Sequence, residues 1–406
     1  MKKLFIIFLI FGLAFLGASW ILLDEINVSK NQQTLIEHDK QWFAARQGVA
    51  RVRPYPVKTA AYWTSPVMQI GDVERLAKHD IVIIDLENLF NNRERLLELK
   101  LLNPEIKLLI YSNPMEIFLS TYNNRPWQNK IINEIINHRQ EWLLKTIGRR
   151  QDGRLEERYA QFWTFPNPMT MLNMSTVCPK IKGETYVEWM AKKMRQEILS
   201  DPIVDGYFQD NATWEIAWMF TDKQEKVDIN GDKRPDRDEV VNRYWEKGIS
   251  QYLRLIREGG DRYGFFSRLF KRQQKDNFII VGNKGDLRFL NQVSGKFFEK
   301  FPNDYLGEKW LGGWRQCISN ARQTGPYTIF QANRANIDFV LASTMLLDNV
   351  YLAIGQDDSG IFPELEIDLG SPLGSFKYDQ RVYTRNYTRG VVTVWPADTR
   401  GQISKF

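Results

Sequence analysis

Ile81-Val-Ile-Ile84, followed by Asp85, and Ile106-Lys-Leu-Leu-Ile-Tyr111 are the stretches from which the fold is read. An unbroken β-branched run has no polar side, so it reads as a strand buried on both faces, the pattern of a parallel sheet covered by helices. Between the two runs, Arg93–Leu102 reads as a helix. Upstream, Ala60-Ala-Tyr-Trp63 reads as a strand and Asp72–Lys78 as a helix. Downstream come a helix at Trp127–Thr146, a turn-rich break at Gly148–Gly153, and a loop rich in Pro, Asn and Met at Phe162–Pro179. A helix follows at Glu184–Leu199, a strand at Ile203–Phe208, a helix at Val240–Glu258 and a strand at Asn277–Val281. Gly295–Phe298, Tyr327–Gln331 and Leu346–Leu352 complete the strand candidates. Strands alternating with helices predict parallel pairing through right-handed crossovers. Eight such units over roughly 300 residues predict an α/β fold, a (β/α)8 TIM barrel. No short sequence period is visible, which excludes a solenoid.

The ends of the chain differ from this body. Met1-Lys2-Lys3 precedes an apolar run from Leu4 to Leu23, closed by Asp24-Glu25. A run of about 20 apolar residues reaches spanning length, and the two lysines belong on the cytoplasmic side. Residues 1–23 therefore read as a signal anchor, an N-terminal hydrophobic helix that would tether an exported body to the membrane. A cleaved signal peptide releasing the protein is the close alternative. Residues 24–55 read as a stalk or linker, or a short helix, 56–360 as the barrel, and 361–406 as a small C-terminal antiparallel β element with Gly and Pro turns.

Composition narrows the chemistry. Of 406 residues, 43% are hydrophobic and 26% charged, which excludes a disordered chain, a coiled coil and a multi-span membrane protein. The 55 Lys and Arg against 49 Asp and Glu leave a formal charge of +6 that forms no basic block, so no nucleic-acid partner is expected. Only His38, His79 and His138 are present, none in H-E-x-x-H or behind G-x-S-x-G, which argues against histidine-centred zinc sites and Ser-His-Asp triads. Cys178 and Cys317 are too few for a disulfide scaffold or a cysteine-rich zinc site, although export would permit a bridge between them. The 13 tryptophans are a surplus that suits stacking on the apolar faces of sugar rings.

In a barrel the chemistry sits at the C-terminal ends of strands. Asp210 lies just past the strand in Val204-Asp-Gly-Tyr-Phe-Gln-Asp210-Asn211 and is assigned as nucleophile. Asp205 has the opposite parity, so it is given a structural or substrate-orienting role, and Gly206 suits close strand packing. Glu299 ends the strand Gly295-Lys-Phe-Phe, whose phenylalanines form an apolar wall of the kind that raises a carboxyl pKa and suits a general acid. Its bland alternative is a surface Glu paired with Lys296 or Lys300. Two carboxyls flanking a cleft suffice for glycoside hydrolysis, with no cofactor. Trp63, Asp85, Glu87, Tyr111, Asn113, Asn211, Asn283 and Gln331 are further strand-end groups that would bind sugar hydroxyls, with Trp63 or Trp214 stacking. Asp228, Asn230, Asp232, Arg234, Asp236 and Glu239 occupy the ligand positions of a 12-residue calcium loop, with Lys233 where Gly is usual. The calcium would be structural, bracing the loop after the fourth strand. The competing reading is a solvated acidic loop capping the next helix.

Asp205-Gly-Tyr-Phe-Gln-Asp210-Asn211, Asp228-Ile-Asn-Gly-Asp232, Trp245-Glu-Lys-Gly248, Ile280-Val-Gly-Asn283 and the tail motifs Asp368-Leu-Gly370-Ser-Pro-Leu-Gly374 and Arg385-Asn-Tyr-Thr-Arg-Gly together resemble glycosyl-hydrolase-like family fifteen. The resemblance spans roughly residues 56–396. It implies a TIM barrel distantly related to alpha-galactosidases and polygalactosaminidase-type enzymes, with the nucleophile ending the fourth strand and the acid/base ending the sixth, here Asp210 and Glu299. The expectation is an exported glycoside hydrolase acting on a poly- or oligosaccharide, retaining in stereochemistry. The alternative is an inactive polysaccharide-binding barrel serving exopolysaccharide assembly or export. A deacetylase-like metal enzyme is disfavoured by the lack of clustered histidines.

Overall fold

A computed structural model describes residues 33–46, 48–150, 152–162, 168–258, 278–302, 313–358, 360 and 362–406. The expected helix at residues 1–23 lies outside them. Eight parallel strands close into a barrel: β1 (Thr59–Trp63), β2 (Ile81–Asp85), β3 (Lys107–Ser112), β4 (Gly206–Gln209), β5 (Ile279–Asn283), β6 (Gly295–Phe298), β7 (Thr328–Ala332) and β8 (Val350–Ile354). Each pairs with its sequence neighbour, and β1 closes on β8 through Thr59 opposite Leu352. Each lies on or beside one of the apolar runs read from sequence.

The strand period of two divides the core. Ala60, Tyr62, Ile81, Ile83, Leu109, Phe208, Ile279, Val281, Phe297, Ile329 and Ala353 fill the barrel interior. Residues of the other parity, such as Ala61, Trp63, Val82, Ile84, Leu108, Ile110 and Tyr207, face the surrounding layer. The helices there include α1 (Ile70–Leu76), α2 (Arg93–Leu102), α3 (Pro126–His138), α4 (Tyr186–Lys193), α5 (Asp238–Glu258), α6 (Gly313–Ala321) and α7 (Ile337–Met345). Gly206 is required where β4 meets β5, because a Cβ there would fall into the carbonyl of Ile279.

Two expectations change. The helix expected at Trp127–Thr146 stops at His138. Arg139 leaves helical geometry, Trp142 turns into the core with its indole N–H on the Pro179 carbonyl at 2.9 Å, and Lys145–Arg149 becomes a strand between Leu155–Tyr159 and Lys226–Asp228. Within the loop expected at Phe162–Pro179, Thr170–Met171 pairs with Glu116–Ile117. In the segment read as a stalk or short helix, residues 33–44 form a helix seated on the barrel. Trp42 is buried, and Arg93 clamps Asp39 at 2.7 Å and Asp201 at 2.5 Å.

The C-terminal element is a four-stranded antiparallel sheet of β9 (Lys377–Asp379), β10 (Val382–Tyr387), β11 (Gly390–Trp395) and β12 (Arg400–Lys405). It packs on α7: the buried Arg385 and the Tyr387 hydroxyl both donate to the Met345 carbonyl, and a Cβ at Gly401 would strike the Asp338 carbonyl. Cys178 and Cys317 are both buried and free and sit in different core clusters, so the bridge that export would permit is not formed. Among the described residues, no helix is long and apolar enough to cross a membrane.

Candidate active site

At the C-terminal end of the barrel the interior is floored by four aromatic rings. Tyr62 lies 4.9 Å from Phe297 and 5.7 Å from Phe208, centroid to centroid, and Phe208 stacks on Tyr111 at 5.8 Å. Asp210 follows β4 with the interior parity of Phe208, and Glu299 follows β6 with that of Phe297, so both carboxyls stand over this floor.

Asn283, the last residue of the intervening β5, joins them. Its Nδ2 donates to Asp210 Oδ1 at 2.7 Å and to Glu299 Oε2 at 3.2 Å. Two oxygens tied to one nitrogen at those lengths are no more than about 6 Å apart. Asp210 has two further donors: the Tyr111 hydroxyl at 2.6 Å on Oδ2, and the Asn211 backbone N–H at 2.8 Å on Oδ1. Asn211 adopts a left-handed φ of 52°, which turns the chain just after the carboxylate.

Burial raises Glu299 above its ordinary pKa; the Asn283 hydrogen bond opposes this, the negative Asp210 adds to it and Lys300 opposes it. Lys296, the alternative partner for Glu299, is fully buried and instead reaches Asp286 at 2.9 Å. Tyr62 and Tyr111 are pushed well above the usual phenol range, mainly by burial and then by the Asp210 charge, so both stay protonated as donors. One carboxyl is thus biased toward its protonated form by burial, and its neighbour accepts from three donors.

The other expected site residues divide. Asp85, ending β2, accepts from Arg125 at 2.9 Å and from the Glu87 backbone N–H at 2.9 Å. Both Glu87 oxygens accept from the backbone at the start of α3, Trp127 N–H at 3.1 Å and Gln128 N–H at 2.7 Å. Gln331 receives the Lys300 backbone N–H at 2.7 Å and donates to the Gly355 carbonyl at 3.2 Å, which ties the end of β7 to its neighbours. Trp214 lies beside the β5 end, with Lys284 and Arg288 over its ring at 5.8 and 4.5 Å. Asn113 and Asn211 both turn their side-chain amides onto Glu116.

Two residues lie away from the pair. Trp63 faces the outer core, with its indole N–H on the Val67 carbonyl at 3.2 Å; the interior aromatic of β1 is Tyr62. Asp205 sits at the opposite end of β4, paired with Lys100 at 2.5 Å and accepting the Leu108 N–H at 2.9 Å, which is the structural half of its expected role.

In the acidic loop, Asp228 accepts the backbone amides of Gly231 (2.9 Å), Asp232 (3.1 Å) and Lys233 (2.8 Å). Asn230 accepts from Asp232, Asp232 from Arg234, and Asp236 from Ile229, while Glu239 belongs to α5. Side-chain oxygens of Asp228, Asn230, Asp232 and Asp236 are turned onto the loop's own backbone. Among the described residues, no three His, Cys, Asp or Glu side chains converge to hold a metal ion.

Sequence reasoning did not single out Tyr62, Arg125 or Glu116. Tyr62 was within reach of the period-two rule, since it shares a face with Ala60. Glu116 carried no local signal: its burial depends on pairing with the distant Met171.

The model of the family described as hypothetical glycosyl hydrolase family 15 matches residues 100–391. No curated protein matches the chain. Similar solved structures include a GH31 dextranase of Flavobacterium johnsoniae complexed with glucose, at 12% identity and a TM-score of 0.42, covering 78% of this chain. A noncanonic maltogenic alpha-amylase of Thermotoga neapolitana is 9% identical with a TM-score of 0.42, covering 83% of this chain and 84% of its own. The chain spans 39% of the length of the dextranase.

Proposed function

The chain belongs to the hypothetical glycosyl hydrolase family 15, and from that premise we propose that it is a retaining glycoside hydrolase with Asp210 as nucleophile and Glu299 as general acid/base. The observation that carries this reading is the Asn283 amide donating to both carboxyls across three adjacent strands. The bound it places on the two bonded oxygens, no more than about 6 Å, is compatible with the retaining spacing of about 5–5.5 Å.

In the first step an Asp210 carboxylate oxygen bonds to the anomeric carbon as the glycosidic C–O bond breaks, and the Glu299 proton passes to the leaving oxygen. In the second, Glu299, now ionised, takes a proton from water as the water oxygen bonds to the same carbon and the Asp210 ester bond breaks. Both residues return to their starting states. The raised pKa of Glu299 favours its protonated, acid form, and removal of the Asp210 charge in the intermediate favours its ionisation for the second step. Tyr111, Asn283 and the Asn211 N–H fix the nucleophile's orientation.

The basic start and the apolar run Leu4–Leu23 favour export, with the barrel acting outside the cytoplasmic membrane on a poly- or oligosaccharide. The test is a screen of the purified protein on aryl α- and β-glycosides and bacterial exopolysaccharides, alongside D210N and E299Q, with product anomers followed by NMR. Hydrolysis with retention, lost in both variants, is the expected result. Full activity in either variant, or inversion, refutes the assignment. Saturable polysaccharide binding without turnover would instead identify an inert binding barrel.

A further inference from the structure

Asn113 and Asn211, placed by sequence among the sugar-binding groups, spend their side-chain amides on one buried carboxyl. Glu116 Oε2 accepts Asn113 Nδ2 at 3.1 Å and Asn211 Nδ2 at 3.3 Å. Glu116 is 2% exposed, and its other oxygen, Oε1, is buried with no hydrogen-bond partner. It stands on the two-residue strand Glu116–Ile117 beside Met171, behind the end of β3. Asn211 is the link to the chemistry, because its backbone N–H donates to Asp210 Oδ1 at 2.8 Å while its side chain holds Glu116.

We propose that Glu116 is the positioning residue for the nucleophile: by anchoring Asn113 and Asn211 through Oε2 and holding a proton on Oε1, it fixes the left-handed turn that aims Asp210 across the cleft. This rests on the assignment of Asp210 as nucleophile. An ionised carboxyl with one oxygen buried and unpartnered would be strongly disfavoured, and protonation relieves that cost. The neutral acid keeps Oε2 as acceptor for both amides. Its pKa is accordingly pushed up to about 7, first by burial, with the Asn113 hydrogen bond opposing and the Asp210 charge adding. Asp210 is the charged group that bears on it; the side chains that meet it directly are the neutral amides of Asn113 and Asn211. Glutamine has the shape of protonated glutamate, so E116Q keeps the anchor at every pH and E116A removes it.

The test reads carboxyl carbon resonances by NMR in the full chain, wild type against D210N, E116Q and E116A, with Glu116 and Asp210 each assigned by the signal its amide variant loses. Glu116 is expected to titrate well above the ordinary glutamate range in the wild type and at lower pH in D210N. The Asp210 resonance is expected to keep its position in E116Q and to move in E116A. A Glu116 that titrates as an ordinary glutamate, or an Asp210 signal equally unperturbed in both Glu116 variants, overturns the proposal. On whichever glycoside the wild type hydrolyses, E116A should lower kcat about tenfold with little change in KM, and E116Q should restore most of it; wild-type kcat in E116A also overturns the proposal. A wild type that hydrolyses no glycoside counts against the Asp210–Glu299 reading, and the titrations then decide the role of Glu116.

Discussion

Asp210 and Glu299 accept from the same nitrogen, Nδ2 of Asn283, at 2.7 and 3.2 Å. The residue between the two carboxyls therefore ties them to one another. It supplies one N–H to each, and an amide nitrogen has only two to give.

Asn283→Ala is expected to lower kcat by about one to two orders of magnitude, since it frees both reacting groups. The Asn283 bond favours ionised Glu299, so its loss raises the Glu299 pKa further. The alkaline limb of the pH–rate profile, which reports the acid, should move to higher pH. A limb that stays in place would mean that Glu299 is not the titrating acid.

Asp210→Asn and Glu299→Gln are expected to reduce turnover by about a thousandfold or more each. Tm should change little, because each exchange keeps the size and shape of the side chain. Thermal melts beside steady-state assays separate lost chemistry from lost fold.

Tyr111→Phe keeps the ring that stacks on Phe208 and deletes the hydroxyl that holds Asp210 Oδ2. Stability should fall by only about 1 kcal/mol, while kcat falls several-fold with KM nearly constant. An equal loss in both parameters would argue for a role in substrate binding instead.

Stability should depend on pH through Glu116. Its folded pKa, about 7, lies above its ordinary 4.5, so the native state holds the proton more tightly. The contribution is complete below the unfolded value and disappears as pH rises through the folded one. Denaturant titrations of the wild type should show stability falling between about pH 5 and pH 8, by up to about 3 kcal/mol from this group. Glu116→Gln should flatten that slope.

Chelation should leave Tm unchanged within about 1 °C, because the Asp228 oxygens already accept three backbone amides. A drop of several degrees, reversed by calcium, would show that the loop opens to take an ion.

The eight barrel strands were legible because parallel strands are apolar on both sides, and such runs stand out locally. Asp210, Glu299 and Asn283 were legible as polar residues ending those runs. Trp63 was misread by residue type: a large aromatic at a strand end looked like a stacking group, yet parity sends it outward and Tyr62 inward. The sheet of Lys145–Arg149, Leu155–Tyr159 and Lys226–Asp228 was hidden because its third strand lies far along the chain. Glu116 was hidden for the same reason, since a carboxyl's burial is a property of what folds over it.

The pairing of Thr59 with Leu352 has a consequence for how the molecule is made. The ring closes only when its last strand reaches its first. A chain threaded outward from its amino end would present bare strand edges until almost all of it had emerged, and such non-local closure is slow and exposed to aggregation. Refolding yield of the full chain should therefore fall as protein concentration rises and recover when a holdase is added.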